Sequence, residues 1–113
     1  KIKQVLLNIF LNALEAMSGG GRLSVELLHK QDAVDVIVSD TGRGIDGKDL
    51  PRIYDPYFTS KPAGTGLGLA VVQKIMEAHG ALLNIESKTG TGTTVILRFA
   101  MTANERMKNE HQT

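Results

Sequence analysis

Residues 2–17 read IKQVLLNIFLNALEAM. Apolar side chains recur in it every three or four residues almost all the way round, and neither Gly nor Pro interrupts them. That spacing predicts a largely buried α-helix. The helix is expected to stop at Ser18, because three glycines follow at positions 19–21.

Two hairpins are predicted downstream of this helix. Residues 22–29 and 33–39 alternate apolar with polar side chains, which is the period of a strand with one buried face. Residues 81–86 and 93–99 are also strand-like and flank the turn sequence Lys-Thr-Gly-Thr-Gly at 88–92. The connections are short, so we expect antiparallel pairing within each hairpin.

A second helix is predicted at residues 67–78, where helical spacing returns before a stop at His79-Gly80. Together with the first helix and the two hairpins, it predicts an α+β fold. We expect a two-layer α/β sandwich, with the helices on one face of a mixed, mostly antiparallel sheet.

The segment between the first hairpin and the second helix is where function is to be sought. It is predicted to hold a turn-rich loop at 40–47, a short helix at 48–54 that Pro56 ends, and a flexible segment at 59–66. Six of the 12 glycines fall between positions 42 and 68. Glycine clusters let the backbone come close to a ligand.

The composition fits one folded domain. The chain has 113 residues, of which 42% are hydrophobic and 22% charged. We expect residues 1–100 to form the domain and the polar residues 101–113 to form a tail. The net charge of +1 gives no strong field for nucleic acid, and without cysteine there is no disulfide or thiolate metal site. We expect neither a membrane span nor a signal peptide.

Four polar side chains form a stripe on the otherwise apolar first helix, at spacings of four, four and three: Gln4, Asn8, Asn12 and Glu15. A solvent-exposed face would account for the stripe, although such faces usually carry Lys, Arg and Glu. The alternative is that Asn8 and Asn12, one turn apart, present amide oxygens to a Mg²⁺ ion held jointly by protein and nucleotide.

The motif Asp40-Thr41-Gly42-Arg43-Gly44 follows the second strand. An aspartate at the end of a strand can accept a hydrogen bond from a ligand amino group, and the two glycines let the backbone pass close to a flat ring. An ordinary Asp-Gly turn would use the same residues.

The motif Gly64-Thr65-Gly66-Leu67-Gly68 precedes the second helix and predicts an anion site. Glycine-freed backbone N–H groups and the positive end of the helix dipole converge there. The motif is neither a Rossmann fingerprint, which needs a third glycine, nor a Walker A loop, which needs Gly-Lys-Ser/Thr. Lys61 lies just upstream, where its charge could reach a terminal phosphate or be merely solvated.

In this order, the motifs resemble the nucleotide-binding catalytic domain (HATPase_c) of two-component sensor histidine kinases. That domain belongs to the GHKL superfamily, which also includes type II topoisomerase, mismatch-repair and heat-shock-chaperone ATPases. Residues 4–13 are similar to the family's asparagine box, 40–44 to its first glycine box, 55–58 to its phenylalanine box and 64–68 to its second glycine box. The resemblance covers nearly the whole chain and implies a Bergerat-type ATP-binding fold with ATP and Mg²⁺ as ligands.

The resemblance also implies a role for each matching residue. Asn12 would ligate Mg²⁺, Asn8 would support the phosphates and the metal, and Asp40 would bind the adenine amino group. Residues 58–66 would form a short lid in which Lys61 approaches the γ-phosphate, as in a subgroup similar to nitrogen- and metal-responsive sensor kinases. Asn8 and Lys61 are the candidate catalytic residues. The candidate nucleotide-binding residues are Asn8, Asn12, Asp40, Gly42, Gly44, Ile45, Phe58, Thr59, Lys61, Gly64, Thr65, Gly66, Leu67, Gly68 and Thr93, the last of which would lie under the adenine.

Asn8 separates the branches of this superfamily. In the ATPases the residue four before the metal-binding asparagine looks like a glutamate that activates water, whereas an asparagine amide cannot act as a general base. Water attack is therefore disfavoured, while phosphoryl transfer to another acceptor needs mainly positioning and charge neutralisation. The resemblance implies a protein histidine kinase that phosphorylates a histidine on an upstream dimerisation domain and then serves a response-regulator receiver domain.

Some features depart from the family's pattern. Glu15 stands where many relatives carry a basic residue near the phosphates. The upstream phosphoacceptor hairpin and the strand that usually precedes the asparagine box are not recognisable, so we expect a fragment with one exposed sheet edge. His29, His79 and His111 lack the sequence context of the acceptor and are expected to be structural or solvated.

Two other functions share these motifs. A serine protein kinase of the anti-sigma or dehydrogenase-kinase type would have the same nucleotide site. A nucleotide-dependent interaction module would use the lid as a switch without catalysis. We expect a cytoplasmic, monomeric domain of a homodimeric parent, with no contact to nucleic acid or directly to a membrane. Whether the parent is anchored in the inner membrane stays open.

Overall fold

The computed structural model describes residues 2–54 and 68–101. It confirms the predicted order of helices and hairpins. The predicted flexible segment at 59–66 and the tail beyond residue 101 lie outside the described residues. The helices and strands are α1 (Ile2–Ala16), β1 (Leu23–His29), β2 (Ala33–Asp40), a short 3₁₀ helix (Leu50–Arg52), α2 (Gly68–Ala78), β3 (Leu82–Lys88) and β4 (Gly92–Ala100).

The four described strands form one sheet in the order β1-β2-β4-β3. Both predicted hairpins are present, and every neighbouring pair of these strands is antiparallel. The central pair joins β2 to β4, which are distant in sequence, with Asp40 directly opposite Thr93. The predicted α+β class is confirmed.

One face of the sheet packs against both helices. Alternation turns most apolar side chains of β2, β3 and β4 to this side, and the two helices supply the facing side chains. Each fully buried aliphatic side chain contributes about 1.5–3 kcal/mol. The buried core consists of Val5, Ile9, Val38, Val72, Ile75, Met76, Ala81, Val95 and Leu97.

The prediction of a largely buried first helix is wrong for one side of α1. Leu7, Leu11 and Leu14 are 56%, 46% and 56% exposed, while Val5 and Ile9 are buried. In this structure the helix lies on a single sheet face beside α2, so its far side points away from both. Apolar spacing identifies the hydrophobic positions of a helix. It does not show which of them the rest of the protein covers.

The stop predicted at His79-Gly80 is confirmed in detail. Gly80 has a left-handed backbone with φ of 65°. Its N–H donates to the carbonyl of Glu77 at 3.0 Å, and the N–H of Ala81 donates to Met76 at 2.9 Å. This pair of bonds is the Schellman arrangement, which satisfies the last helix carbonyls and reverses the chain. As a result α2 turns directly into β3.

The loop after β2 is held from two sides through the backbone of Arg43. Its N–H donates to the carbonyl of Ala16, the last residue of α1, at 3.1 Å. Its own carbonyl accepts the N–H of Gly90, in the β3–β4 turn, at 2.7 Å. The end of α1, the end of β2 and the second hairpin therefore meet at one place.

Two glycines make this meeting possible. A Cβ at Gly42 would lie 2.6 Å from the carbonyl oxygen of Ala16. Gly44 has a left-handed φ of 74°, and a Cβ there would collide with the carbonyl oxygen of Lys88. The close approach of α1 and the hairpin thus requires glycine at both positions.

The sheet face away from the helices buries one carboxylate. Asp35 is 2% exposed and accepts hydrogen bonds from Arg98 Nε at 2.7 Å and Arg98 Nη2 at 2.9 Å. Lys30 Nζ lies 3.1 Å from the same carboxylate. The hydrogen bonds from Arg98, helped by Lys30, hold the pKa of Asp35 well below its usual range, although burial opposes the shift.

The lowered pKa of Asp35 predicts an acid-sensitive contribution to stability. The ionised carboxylate stabilises the fold above the pKa of an unfolded aspartate, about 3.9, and this contribution is lost as pH falls further. We expect the difference in unfolding free energy between the wild type and Asp35→Asn to be largest at neutral pH and to shrink below about pH 4, as measured by urea denaturation. Glu26→Gln, an exposed carboxylate on β1, is the control. A difference that stays constant down to about pH 2 would contradict the assignment.

Candidate nucleotide-binding site

A row of polar side chains crosses the end of the helix-bearing sheet face. Asp40 on β2 is directly opposite Thr93 on β4, and Thr93 is directly opposite Ser87 on β3. Asp40 follows Val38 by two residues, Ser87 follows Ile85 by two, and Thr93 precedes Val95 by two. Strand alternation therefore puts all three on the helix-bearing side. We call Asp40, Thr93 and Ser87 the polar row.

The carboxylate of Asp40 is oriented by its own loop. The half-buried side chain accepts the N–H of Gly42 on Oδ1 at 2.8 Å, which is an Asx turn. Within residues 2–54 and 68–101, Gly42 is the one hydrogen-bond partner of the Asp40 side chain. The turn interpretation of the motif is therefore correct, and it is compatible with binding, because fixing Oδ1 leaves Oδ2 to accept a ligand N–H.

Ser87 connects the loop to the sheet. Its Oγ accepts the N–H of Ile45 at 2.7 Å and lies 2.7 Å from the hydroxyl oxygen of Thr93. It also donates to the carbonyl of Gly92 at 3.1 Å. Sequence reasoning missed Ser87. The available signal was a hydroxyl in the alternation Leu83, Ile85, Ser87, where the sheet's apolar face demands another apolar residue.

The polar stripe of α1 contains both exposed and half-buried positions. Gln4 and Glu15 are exposed, as the solvent-face interpretation expects, whereas Asn8 and Asn12 are half-buried beside the core. Asn12 lies one helical turn before Ala16, whose carbonyl holds the loop. Asn12 is thus one turn, and Asn8 two turns, from the end of α1 that holds the loop after β2.

The N-terminus of α2 is directed toward the same end of the sheet. The Schellman turn reverses the chain between α2 and β3, which contact each other, so Gly68 at the start of α2 and Ser87 near the end of β3 are both far from that turn. Helix N-termini favour anions. The other predicted residues of this region lie outside the described residues: Phe58, Thr59, Lys61, Gly64, Thr65, Gly66 and Leu67.

The donor set fits a nucleotide with a hard cation. Across the described part of the chain, no cluster of three or more His, Cys, Asp or Glu side chains could hold a metal ion. Amide oxygens on α1 suit Mg²⁺, which keeps few protein ligands and takes the rest from water and phosphate. Neither described helix is long and apolar enough to cross a bilayer.

Comparison with known proteins agrees with the arrangement. A family model described as histidine kinase-, DNA gyrase B-, and HSP90-like ATPase matches residues 1–103. Sensor histidine kinase ZraS of Escherichia coli K12 is 44% identical over 97 residues, which are 86% of this chain and 21% of ZraS. This chain therefore spans about a fifth of the length of that relative.

Solved structures show the same fold. The catalytic domain of histidine kinase ThkA superposes with a TM-score of 0.79 at 34% identity, covering 92% of this chain and 68% of that one. Full-length ShkA, solved in complex with AMPPNP, superposes with a TM-score of 0.77 at 27% identity, over 90% of this chain and 22% of that one. With a family model spanning nearly its whole length and relatives of this similarity, the chain belongs to the HATPase_c family of histidine kinase-, DNA gyrase B- and HSP90-like ATPases.

Proposed function

We propose that this chain is the ATP-binding catalytic domain of a sensor histidine kinase. In this proposal it transfers the γ-phosphoryl group of ATP to a histidine on another domain of the same protein. The observation that carries the proposal is the meeting of α1, the end of β2 and the second hairpin around the oriented carboxylate of Asp40. The similar proteins reported above are histidine kinases by name, which favours this activity over a serine kinase or a non-catalytic module.

The adenine end of the proposed site is the polar row. Asp40 accepts the exocyclic amino group of adenine on Oδ2, while Oδ1 stays bonded to Gly42. The backbone from Gly42 to Ile45 passes beside the ring, and the Arg43 hydrogen bonds keep this segment in place. Thr93 supports the base from β4. A pre-oriented acceptor costs no reordering when the ligand arrives.

The phosphate end of the proposed site lies between α1 and the start of α2. Asn12 would ligate Mg²⁺ and Asn8 would support the metal and the phosphates; the ion would supply neutralisation of phosphate charge. The N–H groups at the start of α2 attract the phosphates. The remaining residues proposed here form the second glycine box and the lid: Gly64, Thr65, Gly66, Leu67, Gly68, Phe58, Thr59 and Lys61.

Asn8 directs the proposed chemistry toward transfer. Its amide cannot take a proton from water, so hydrolysis has no general base at this position. A histidine imidazole nitrogen instead attacks the γ-phosphorus, the bond to the β–γ bridging oxygen breaks, and ADP leaves. Of the two described histidines, His79 has its Nδ1 2.8 Å from the carbonyl of Ile75, at the end of α2 away from the polar row. His29 is exposed on β1. Neither of these two histidines is proposed as the acceptor, which we place on another domain.

The proposed domain covers residues 1–100, with 101–113 as a tail. An upstream dimerisation domain supplies the acceptor histidine, and a response-regulator receiver domain takes the phosphoryl group next. The parent is proposed to be a homodimer whose catalytic domain works in the cytoplasm.

The activity is tested by mixing this chain with γ-labelled ATP, Mg²⁺ and the separate acceptor-histidine domain of its parent protein. We expect acid-labile, base-stable label on the acceptor domain, as phosphohistidine requires. Omitting the acceptor domain is the control and should leave little phosphate release, because Asn8 replaces the water-activating carboxylate. Label that survives acid would indicate a serine kinase, and the absence of label at any concentration would indicate an interaction module.

Asp40→Ala is expected to weaken ADP binding about 10- to 100-fold, the usual cost of losing a hydrogen bond to a charged group. Isothermal titration calorimetry measures the change directly. Asp46→Ala is the matched control, because Asp46 is an exposed carboxylate of the same loop region and should leave the affinity within about twofold. Equal ADP affinity of the wild type and Asp40→Ala would remove the adenine assignment.

Asn12→Ala is expected to abolish most of the gain in affinity for a non-hydrolysable ATP analogue that Mg²⁺ provides over EDTA. The physical reason is that the amide oxygen is the proposed protein ligand of the ion. ADP binding in EDTA should change little. Gln4→Ala, an exposed amide on the same stripe, is the control, and a full Mg²⁺ gain in Asn12→Ala would exclude this role.

A further inference from the structure

We infer that Ser87 is a positioning residue that sets the preference of this site for adenine over guanine. It acts through two neighbours. Its Oγ accepts the N–H of Ile45 and, as argued from the geometry below, the hydroxyl hydrogen of Thr93. The inference rests on the proposed nucleotide site and adds to it a determinant of base specificity on β3, a strand that none of the candidate site residues occupies.

The hydrogen bonds of Ser87 determine where its proton lies. A serine hydroxyl has one hydrogen and two lone pairs. The carbonyl of Gly92 can only accept and the N–H of Ile45 can only donate. The arrangement that uses all three contacts therefore has Ser87 donating to Gly92 and Thr93 donating to Ser87 across 2.7 Å. Ser87 is then fully satisfied.

The consequence is that Thr93 faces a ligand as a hydrogen-bond acceptor. With its hydrogen committed to Ser87, only lone-pair capacity remains on Oγ1. Asp40 is directly opposite Thr93 in the sheet, where paired Cβ atoms are about 5 Å apart, and its carboxylate also only accepts. Two adjacent acceptors match the exocyclic amino group of adenine and repel the O6 carbonyl of guanine.

Ser87 also holds the far end of the loop. The segment from Asp40 to Ile45 is tied to the second hairpin by the Gly90–Arg43 hydrogen bond and by the Ile45–Ser87 hydrogen bond. Removing the hydroxyl leaves the first tie and the backbone ladder of β3 in place. The chain should therefore fold without Ser87 Oγ, while the backbone at Ile45 and the hydroxyl of Thr93 gain freedom.

The sheet contains a matched control for this pair. Ser39 and Thr94 are directly opposite each other on β2 and β4, with their hydroxyl oxygens 3.2 Å apart. They lie on the other sheet face, next in register to the polar row. Ser39→Ala thus removes a serine–threonine pair of the same kind without touching the loop.

The experiment measures ADP and GDP affinities by calorimetry for the wild type, Ser87→Ala, Ser87→Thr and Ser39→Ala. We expect the ratio of ADP to GDP affinity to fall about 10-fold in Ser87→Ala, as for the loss of one oriented hydrogen bond. Ser87→Thr, which keeps the hydroxyl, should restore most of the ratio, and Ser39→Ala should stay within about twofold of the wild type. Amide hydrogen exchange at Ile45 should accelerate in Ser87→Ala and not in Ser39→Ala.

Each other result has a definite meaning. If ADP and GDP weaken equally in Ser87→Ala, or if its ratio equals that of Ser39→Ala, the specificity role is overturned while the proposed ATP site stands. If the wild type binds neither ADP nor a Mg²⁺–ATP analogue, the proposed function fails and this inference fails with it. Should Ser87→Ala not fold, Ser87→Cys takes its place, because a thiol sulfur is only a weak acceptor for the Thr93 hydroxyl and should also lower the ratio. An unchanged ratio in that variant would overturn the inference equally.

Discussion

The structure depends on two hydrogen bonds made by one peptide segment. Arg43 donates its N–H to the end of α1 and accepts the N–H of Gly90 in the β3–β4 turn. Through this segment the opening helix and the closing hairpin hold the same loop from opposite sides. A Cβ at Gly42 would collide with the end of α1, and a Cβ at Gly44 would collide with the hairpin. Both glycines are thus needed for packing within the chain. Any space beside them for a ligand is a consequence of that packing.

Local spacing was sufficient to predict most of the secondary structure. The first helix was predicted at 2–17 and lies at Ile2–Ala16, and both hairpins pair as expected. This prediction is reliable because an apolar period of 3.6 residues marks a helix with one buried face, and a period of 2 marks a strand with one buried face. The β2–β4 pairing at the centre of the sheet is different. It joins segments separated by a whole helix, so no local pattern specifies its order or its register.

The features that the sequence did not predict also depend on tertiary packing. The leucines on the far side of α1 follow helical spacing as well as the buried residues do, and only the position of α2 and the sheet separates the two groups. Ser87 interrupts the apolar alternation of β3, but its role becomes clear only through its partner Ile45, which is far away in sequence. Buried Asp35 is likewise explained only by Arg98 on another strand. Polar residues buried by tertiary pairing cannot be recognised from their neighbours in sequence.

The distribution of charge gives the proposed chemistry its direction. Asn8 and Asn12 are neutral, so the helix can offer oxygen ligands beside a triphosphate without adding like charge to it. Glu15 is exposed, so water and salt would screen its charge from phosphates bound at the proposed site. A glutamate at position 8 would add both a negative charge and a base for water. With an amide there, the proposed site would hold the nucleotide without a base for water, and the nucleophile that we propose, a histidine, would arrive on another domain. Under this proposal, the approach of that domain, and not the nucleotide site itself, would control the reaction.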